Sequence, residues 1–308
     1  MVTTALPGWA TAWERAESAL ARLDERLKGH PAREGWLART VAVDASASAA
    51  LEAAWVESER IALWESDAAE APADSALRLG YGIVRAWRAA ARAEAGEVLT
   101  ADGILELHGR LIGADSLPLV GVDGVDKILA WLETLEELER TPALPAAGLA
   151  LAAWHRLAPL RHGEATGRLL TAVYLWRRGK TQGPFTPIAR GFREGLADYR
   201  PFDPPERWLP LFLSAVARGA TQGVKDLAAL TLARQRLMER CESHRRNSRL
   251  AQVVTLLIDR PVVSSGDVAQ VVGMTRRGAM MLLEGLAGAG VIEEVSGRER
   301  FRLYRAMR

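Results

Sequence analysis

The stretch SSGDVAQVVGMTRRGAMMLLEGLAGAGVIEEV, residues 264–295, decides how the last part of this chain folds. Ser264 and Ser265 offer an N-cap, and Val268, Ala269, Val271 and Val272 then make a short helix that ends at Gly273. Thr275 caps a further helix over 276–287, with Ala279, Met280, Leu283 and Leu286 expected to face inward. Beyond Gly288 and Gly290 the period changes. Residues 291–295 and 300–304 read as strands around a turn at Ser296, Gly297 and Arg298. Upstream, residues 245–259 carry Leu250, Val253, Val254, Leu257 and Ile258 three and four apart, a helical face that Pro261 stops.

Three helices and a hairpin are the layout of a winged helix-turn-helix, expected over 245–308. Its chemistry points to double-stranded DNA. The third helix presents Thr275, Arg276 and Arg277 at its N-terminal end, where a recognition helix meets base edges or phosphates. The hairpin carries Arg298, Arg300 and Arg302, suited to phosphates or the minor groove. Arg245 and Arg246, with Arg240, His244 and Arg249 around them, add a basic stretch at the entry to the first helix. A single winged helix covers a short half-site, so a homodimer on a two-fold site is expected. The same fold also serves protein contact alone, and an antitoxin-like interaction module is the alternative of that kind.

Composition narrows the rest. A chain of 308 residues, 49% hydrophobic, can bury a substantial core and reads as two domains. The net charge is only +2, so any DNA-binding charge must be local, which the arginines beyond Arg234 supply. Cys241 is the single cysteine, which rules out an internal disulfide and a cysteine-rich metal site. No apolar run reaches the roughly 20 residues of a membrane span, and the first residues lack a basic segment followed by an apolar one. A cytoplasmic, bacterial-type protein without contact to a membrane is expected.

Ala, Leu, Arg and Glu dominate and β-branched runs are sparse before the C-terminus, which predicts a mainly helical body. Helices are expected over 11–27, 39–66, 76–95, 102–112, 125–140, 146–158 and 168–178. Residues 113–124 read as a loop, 201–205 as a Pro-rich connection, and 208–244 as one long helix or two short ones. The division that follows is a helical body over 1–200, a helical connector over 201–244 and the winged helix over 245–308. The tryptophans, Trp36, Trp55, Trp64, Trp87, Trp131, Trp154, Trp176 and Trp208 among them, recur at helical positions and read as core or interface packing. Residues 133–140, ETLEELER, read as a solvated helix face.

Residues 154–170, WHRLAPLRHGEATGRLL, resemble the signature of the Fic family, His-Pro-Phe-x-Asp-Gly-Asn-Gly-Arg-x-x-Arg, set between two helices. The resemblance implies a Fic-like helical body and, in active members, transfer of the AMP of ATP to a protein hydroxyl. Pro159, Gly163 and Arg168 match the family's proline, first glycine and last arginine. Ala158 stands at the catalytic histidine and has no proton acceptor. His162 stands at the metal-binding acid, and a neutral imidazole suits magnesium poorly. Leu160 replaces the phenylalanine and Glu164 the asparagine. Residues 45–53, ASASAALEA, are similar to the family's inhibitory helix: Ser48 and Glu52 match, Ala53 departs, and the resemblance implies a pairing of Glu52 with Arg168. These departures lead to a pseudoenzyme with no catalytic residue, no metal and no cofactor. Its Fic-like body would serve dimerisation, partner binding or sensing in a DNA-binding transcriptional regulator. Nucleotidyl transfer by a divergent site is the enzymatic alternative. His155 sits one turn before Ala158 and is expected to point elsewhere. His162, Glu164 and Asp44 form no recognised ligand spacing.

Overall fold

The computed structural model describes residues 8–67, 72–113, 123–195, 199–242, 248–297 and 302–306. They form α1 (Ala10–Leu27), α2 (Arg33–Leu51), α3 (Ser58–Asp67), α4 (Ser75–Ala90), α5 (Ala95–Val98), α6 (Ala101–Ile112), α7 (Gly124–Glu137) with a 3-10 turn at Leu138–Arg140, α8 (Ala143–Leu157), α9 (Glu164–Arg177), α10 (Ile188–Arg193), α11 (Pro205–Glu242), α12 (Ser248–Asp259), β1 (Val263–Ser264), α13 (Ser265–Val272), α14 (Arg276–Gly288), β2 (Ile292–Glu294) and β3 (Leu303–Ala306). The chain divides into two compact units. One gathers residues 1–28, 41–58 and 72–223; the other gathers 29–40, 59–71 and 224–308.

The first unit is built on the hairpin of α8 and α9. From Ala143 to His155, α8 is buried except at Leu149, where exposure is partial, and from Ala165 to Leu175 α9 is buried throughout. A helix apolar on all sides must sit at the centre of its unit. The small residues of α8 let its neighbours come close: a Cβ on Gly148 would stand 2.8 Å from the Phe212 ring of α11. Indole N–H groups then pin the layer. Trp131 donates to the Ala150 carbonyl at 2.8 Å and Trp208 to the Gly148 carbonyl at 2.7 Å. Trp131, Trp154 and Trp208 are buried as core residues of this unit, as Trp36 is in the other, whereas Trp55 is 62% exposed.

One expected helix is absent. Residues 39–66 are not a single segment: α2 ends at Leu51, Ala53 turns left-handed (φ 58°), and α3 begins only at Ser58. The Ala54 N–H reaches back to the Ala49 carbonyl at 2.9 Å, and Ser46 Oγ ties down the Val56 carbonyl at 2.6 Å. A tertiary bond and an alanine in a glycine-like conformation make this break, so no Gly or Pro marks it in the sequence. Residues 208–244 are represented by one helix, α11, as far as Glu242. The middle of the 113–124 loop lies outside the described residues.

The second unit holds α12–α14 and a three-stranded antiparallel sheet of order β1-β3-β2. The registers are Val263 with Tyr304 and Ser264 with Leu303, then Ile292 with Ala306, Glu293 with Arg305 and Glu294 with Tyr304. The sequence pattern predicts a hairpin of two strands; β1 makes a third, and β3 runs to Ala306 instead of ending at Tyr304. Ser264 caps α13 in a reciprocal box with Asp267, and Gly273 closes it left-handed (φ 67°). Ala279 and Leu283 of α14 are fully buried and Leu286 partly so, but Met280 is 43% exposed. Met280 falls off the face because the 3.6-residue period aligns 279, 283 and 286 and rotates 280 away by about a quarter of a turn.

Candidate functional sites

In the first unit, α8 and α9 are joined by a tight loop over 158–163. Ala158 ends α8 in the left-handed region (φ 44°, ψ 58°), its N–H bonded to the Trp154 carbonyl at 2.9 Å. His162 is left-handed too (φ 53°). Non-glycine residues there carry strain of roughly 1–3 kcal/mol each and persist only where their surroundings impose them. Here Trp154 imposes the turn. Its indole N–H donates to the Gly163 carbonyl at 2.8 Å, and its ring lies so close to Gly167 that a Cβ there would stand 2.3 Å from it. Pro159, Leu160 and Gly163 are buried, whereas Ala158, Arg161, His162 and Glu164 are exposed along the rim.

Arg168, one turn into α9, is only 4% exposed and faces α2. Its Nε donates to Ser48 Oγ at 2.9 Å, and its Nη2 to the Ser48 carbonyl at 3.1 Å and to Glu52 Oε1 at 2.6 Å. The three residues singled out in the sequence, Ser48, Glu52 and Arg168, are therefore brought together. Burial works against the Arg168 charge, but Tyr199 and Glu52 outweigh it and keep its pKa above the usual value. Burial pushes Glu52 up, against the pull of Arg168.

Around this pair lie groups that the sequence does not connect with it. Asp44 lies on α2, and burial pushes its carboxyl up to about 6 although it accepts the Arg190 N–H at 2.9 Å and has Arg168 nearby. Asp44, Ser48, Arg168 and Thr186 line a cavity of about 30 Å³, closed by the apolar sides of Trp87, Phe185 and Ile83. That is room for about one water molecule. Thr186 Oγ1 is buried with no hydrogen-bond partner among the described residues. The i, i+4 spacing places Asp44 and Ser48 on one face of α2 with Glu52 just past its end, but nothing in the sequence says which partner that face meets.

Unlike His162, His108 and His155 do not reach the loop rim. His155 is buried edge-on to Trp208, ring centroids 5.7 Å apart, and burial with the Arg168 charge lowers it to about 3. His108 is fully buried with its Nδ1 2.8 Å from Thr166 Oγ1, and burial lowers it to about 4. Among the described residues no group of three His, Cys, Asp or Glu side chains is placed to hold a metal ion, and no helix is long and apolar enough to cross a membrane.

In the second unit, Thr275 Oγ1 accepts the Gly278 N–H at 3.1 Å and starts α14. Thr275, Arg276 and Arg277 are all exposed at that end. Arg302 stands just before β3, 3.4 Å from Glu284 of α14. Arg245, Arg246, Arg298 and Arg300 lie outside the described residues. An open groove beside the start of α14 is lined by Arg249, Ala269, Gly273, Thr275, Gly278 and Leu282.

The helical hairpin with its loop, the arginine held from α2 and the appended three-helix unit together define a Fic-like fold joined to a helix-turn-helix. Comparison with known proteins agrees. Residues 250–305 match a family model described as HTH DNA binding domain, and residues 121–242 match one described as Protein of unknown function (DUF1612). A Fic family protein from Desulfovibrio desulfuricans G20 has a similar structure over 99% of this chain and 97% of its own, with a TM-score of 0.57 and 15% identity. Fic-1 from C. elegans is similar over 71% of this chain and 73% of its own, with a TM-score of 0.53 and 16% identity. In sequence, the chain is 30% identical over 179 residues to the uncharacterized protein y4cF of Sinorhizobium fredii (strain NBRC 101917 / NGR234), 58% of this chain and 46% of that protein. The chain thus spans just under half the length of that curated relative.

Proposed function

We propose that the chain is a sequence-specific, cytoplasmic DNA-binding transcriptional regulator. Its Fic-like body, assigned to 1–200, has given up AMP transfer and serves dimerisation, partner binding or sensing; 201–244 connects it to the DNA-binding segment 245–308. The observation that carries the reading is the exposure of Thr275, Arg276 and Arg277 together at the start of α14, inside the segment that matches a DNA-binding family. Positive charge at the leading end of a recognition helix is what base edges and phosphates require. Loss of transfer rests on Ala158, which offers no base, and on buried histidines whose lowered pKa values leave little driving force for taking a proton at neutral pH. His162 and Glu164 also fit a magnesium–nucleotide poorly, one offering nitrogen and the other adding negative charge where phosphates would lie. A homodimer on a two-fold site completes the proposal.

The test is recovery of DNA from fragmented genomic DNA by the purified chain, followed by sequencing. Discrete peaks sharing a two-fold motif are expected. They should vanish for a variant with Arg276, Arg277, Arg298 and Arg300 replaced by Ala. Replacing Arg276 and Arg277 alone should weaken binding by about 1–3 kcal/mol per arginine. Equal retention by wild type and variant would overturn the proposal.

One observation favours a second reading, nucleotidyl transfer by a divergent site: Arg168 is kept whole in a cradle of Ser48 and Glu52. Calorimetry with ATP and magnesium decides it. No heat of binding is expected; a saturable isotherm that Arg168→Ala abolishes would revive the enzyme.

A further inference from the structure

The outer face of α14 carries more than arginines. Met280 is 43% and Met281 63% exposed, although Ala279 and Leu283 already supply the core contacts of this helix. At 100° per residue, Arg277, Met281, Gly285 and Gly288 fall on one outward stripe, with Arg276, Met280 and Glu284 along one side of it. The glycines are informative. A Cβ on Gly285 or Gly288 would meet nothing within 4 Å, and neither residue has the positive φ that demands glycine. Glycine within a helix costs roughly 0.5–1 kcal/mol relative to alanine. Packing inside the protein does not account for that cost, whereas close approach of another surface does. Glu284, the acidic group of the stripe, is engaged by Arg302 at 3.4 Å, which leaves the face positive overall.

This charge selects the occupant. A second copy of α14 laid across the stripe would set guanidinium groups against guanidinium groups. A DNA major groove instead supplies acceptors for arginine and, at each thymine, an apolar 5-methyl group for which methionine is a fitting partner. Resting on the DNA-binding reading above, we infer that α14 reads a composite pattern: Arg276 and Arg277 bond guanine edges while Met280 and Met281, one turn further on, pack against thymine methyl groups.

The experiment uses the full chain and the duplex its own selection retains. Each thymine of the retained motif is replaced in turn by deoxyuridine, which removes only the methyl. At one or two positions wild-type affinity should fall about fourfold, the fold-change for one buried methyl-sized group. The variant with Met280→Ala and Met281→Ala should bind thymine and uracil duplexes alike yet keep its preference for guanine; both side chains are exposed, so the fold stays and an unchanged melting temperature checks it. Wild type that selects a motif but ignores every thymine methyl overturns this inference alone. Wild type that retains no DNA overturns the DNA-binding reading and this inference with it. Self-association of DNA-free chain that the methionine variant abolishes assigns the stripe to a second copy and overturns it too.

Discussion

Arg168 is a charge with almost no access to water, held by Ser48 and Glu52. Such a pair adds little net stability, because desolvation offsets the attraction, but breaking it on one side strands a buried charge at a cost of about 3–5 kcal/mol. Glu52→Ala should therefore destabilise the first unit by that order. Arg168→Met in the same chain should restore part of the loss, since it removes the stranded charge and fills the space. Urea unfolding of both variants measures this. A double variant less stable than Glu52→Ala alone would mean that Arg168 contributes through packing and its bonds to Ser48. At this scale the sequence is informative wherever a residue carries its own signal. Ser48, Glu52 and Arg168 are legible only through the resemblance to the Fic motif and its inhibitory helix, and Thr275 and Ser264 as caps. Met280 is not: an apolar residue beside an apolar face belongs to it or to the surface according to a rotation of about a quarter of a turn, and only the packed helix sets that angle.

Helix α10 has six residues, too few to persist by their own propensity. Its start is held from elsewhere, by Asp44 of α2 accepting the Arg190 N–H at 2.9 Å. Asp44 titrates at about 6 against an ordinary 3.8, a folded pKa raised above the unfolded one. Its contribution is therefore fully present below about pH 4 and is lost as pH rises through about 6, in total on the order of 3 kcal/mol. Asp44→Asn keeps an acceptor for that N–H and never ionises. It should match wild type near pH 4 and exceed it in stability above pH 7, as read by urea unfolding at the two pH values; an equal difference at both would refute the assignment. His155 works in the opposite sense. Lowered to about 3 by burial, it contributes stability present above about pH 6.5 and lost as pH falls toward its folded value. Legibility at this scale follows the origin of each element. Helices with their own face and cap, such as α6 and α14, are expected from the sequence to within a residue or two at each end. The short α10 and the strand β1 depend on partners far along the chain, Asp44 and β3, while the break after Leu51 rests on a left-handed alanine and a bond from Ser46 to Val56 that no Gly or Pro announces.

The unit that holds α12–α14 is not one continuous stretch of chain. Residues 29–40 belong to it, and their role is specific. A Cβ on Gly35 would lie 2.0 Å from the Ile258 carbonyl oxygen, so this contact admits only glycine. Arg39 donates to the carbonyls of Leu257 at 3.0 Å and Arg260 at 2.9 Å, and also to that of Ile258. These are carbonyls at the end of α12, where a cation also complements the helix dipole. Arg39→Ala should lower the melting temperature of this unit and, with it, DNA retention, although Arg39 lies far in sequence from any residue expected to touch DNA. A fragment of 245–308 alone should melt below the same residues in the full chain. Equal melting would show the N-terminal stretch to be dispensable. A reading by windows of residues assigns 245–308 to itself, because hydrophobic periodicity carries no record of a partner more than 200 positions away.

The Arg39 fork also sets an order of events at the ribosome. Arg39 and Ile258 are 219 residues apart. At about 5–20 residues per second, the arginine waits on the order of 10 to 45 s before the carbonyls it will cap have been synthesised. Throughout that interval the nascent chain displays residues 29–40 without their eventual cover, so the unit that holds α12–α14 cannot close until the carbonyls of Leu257, Ile258 and Arg260 have been made.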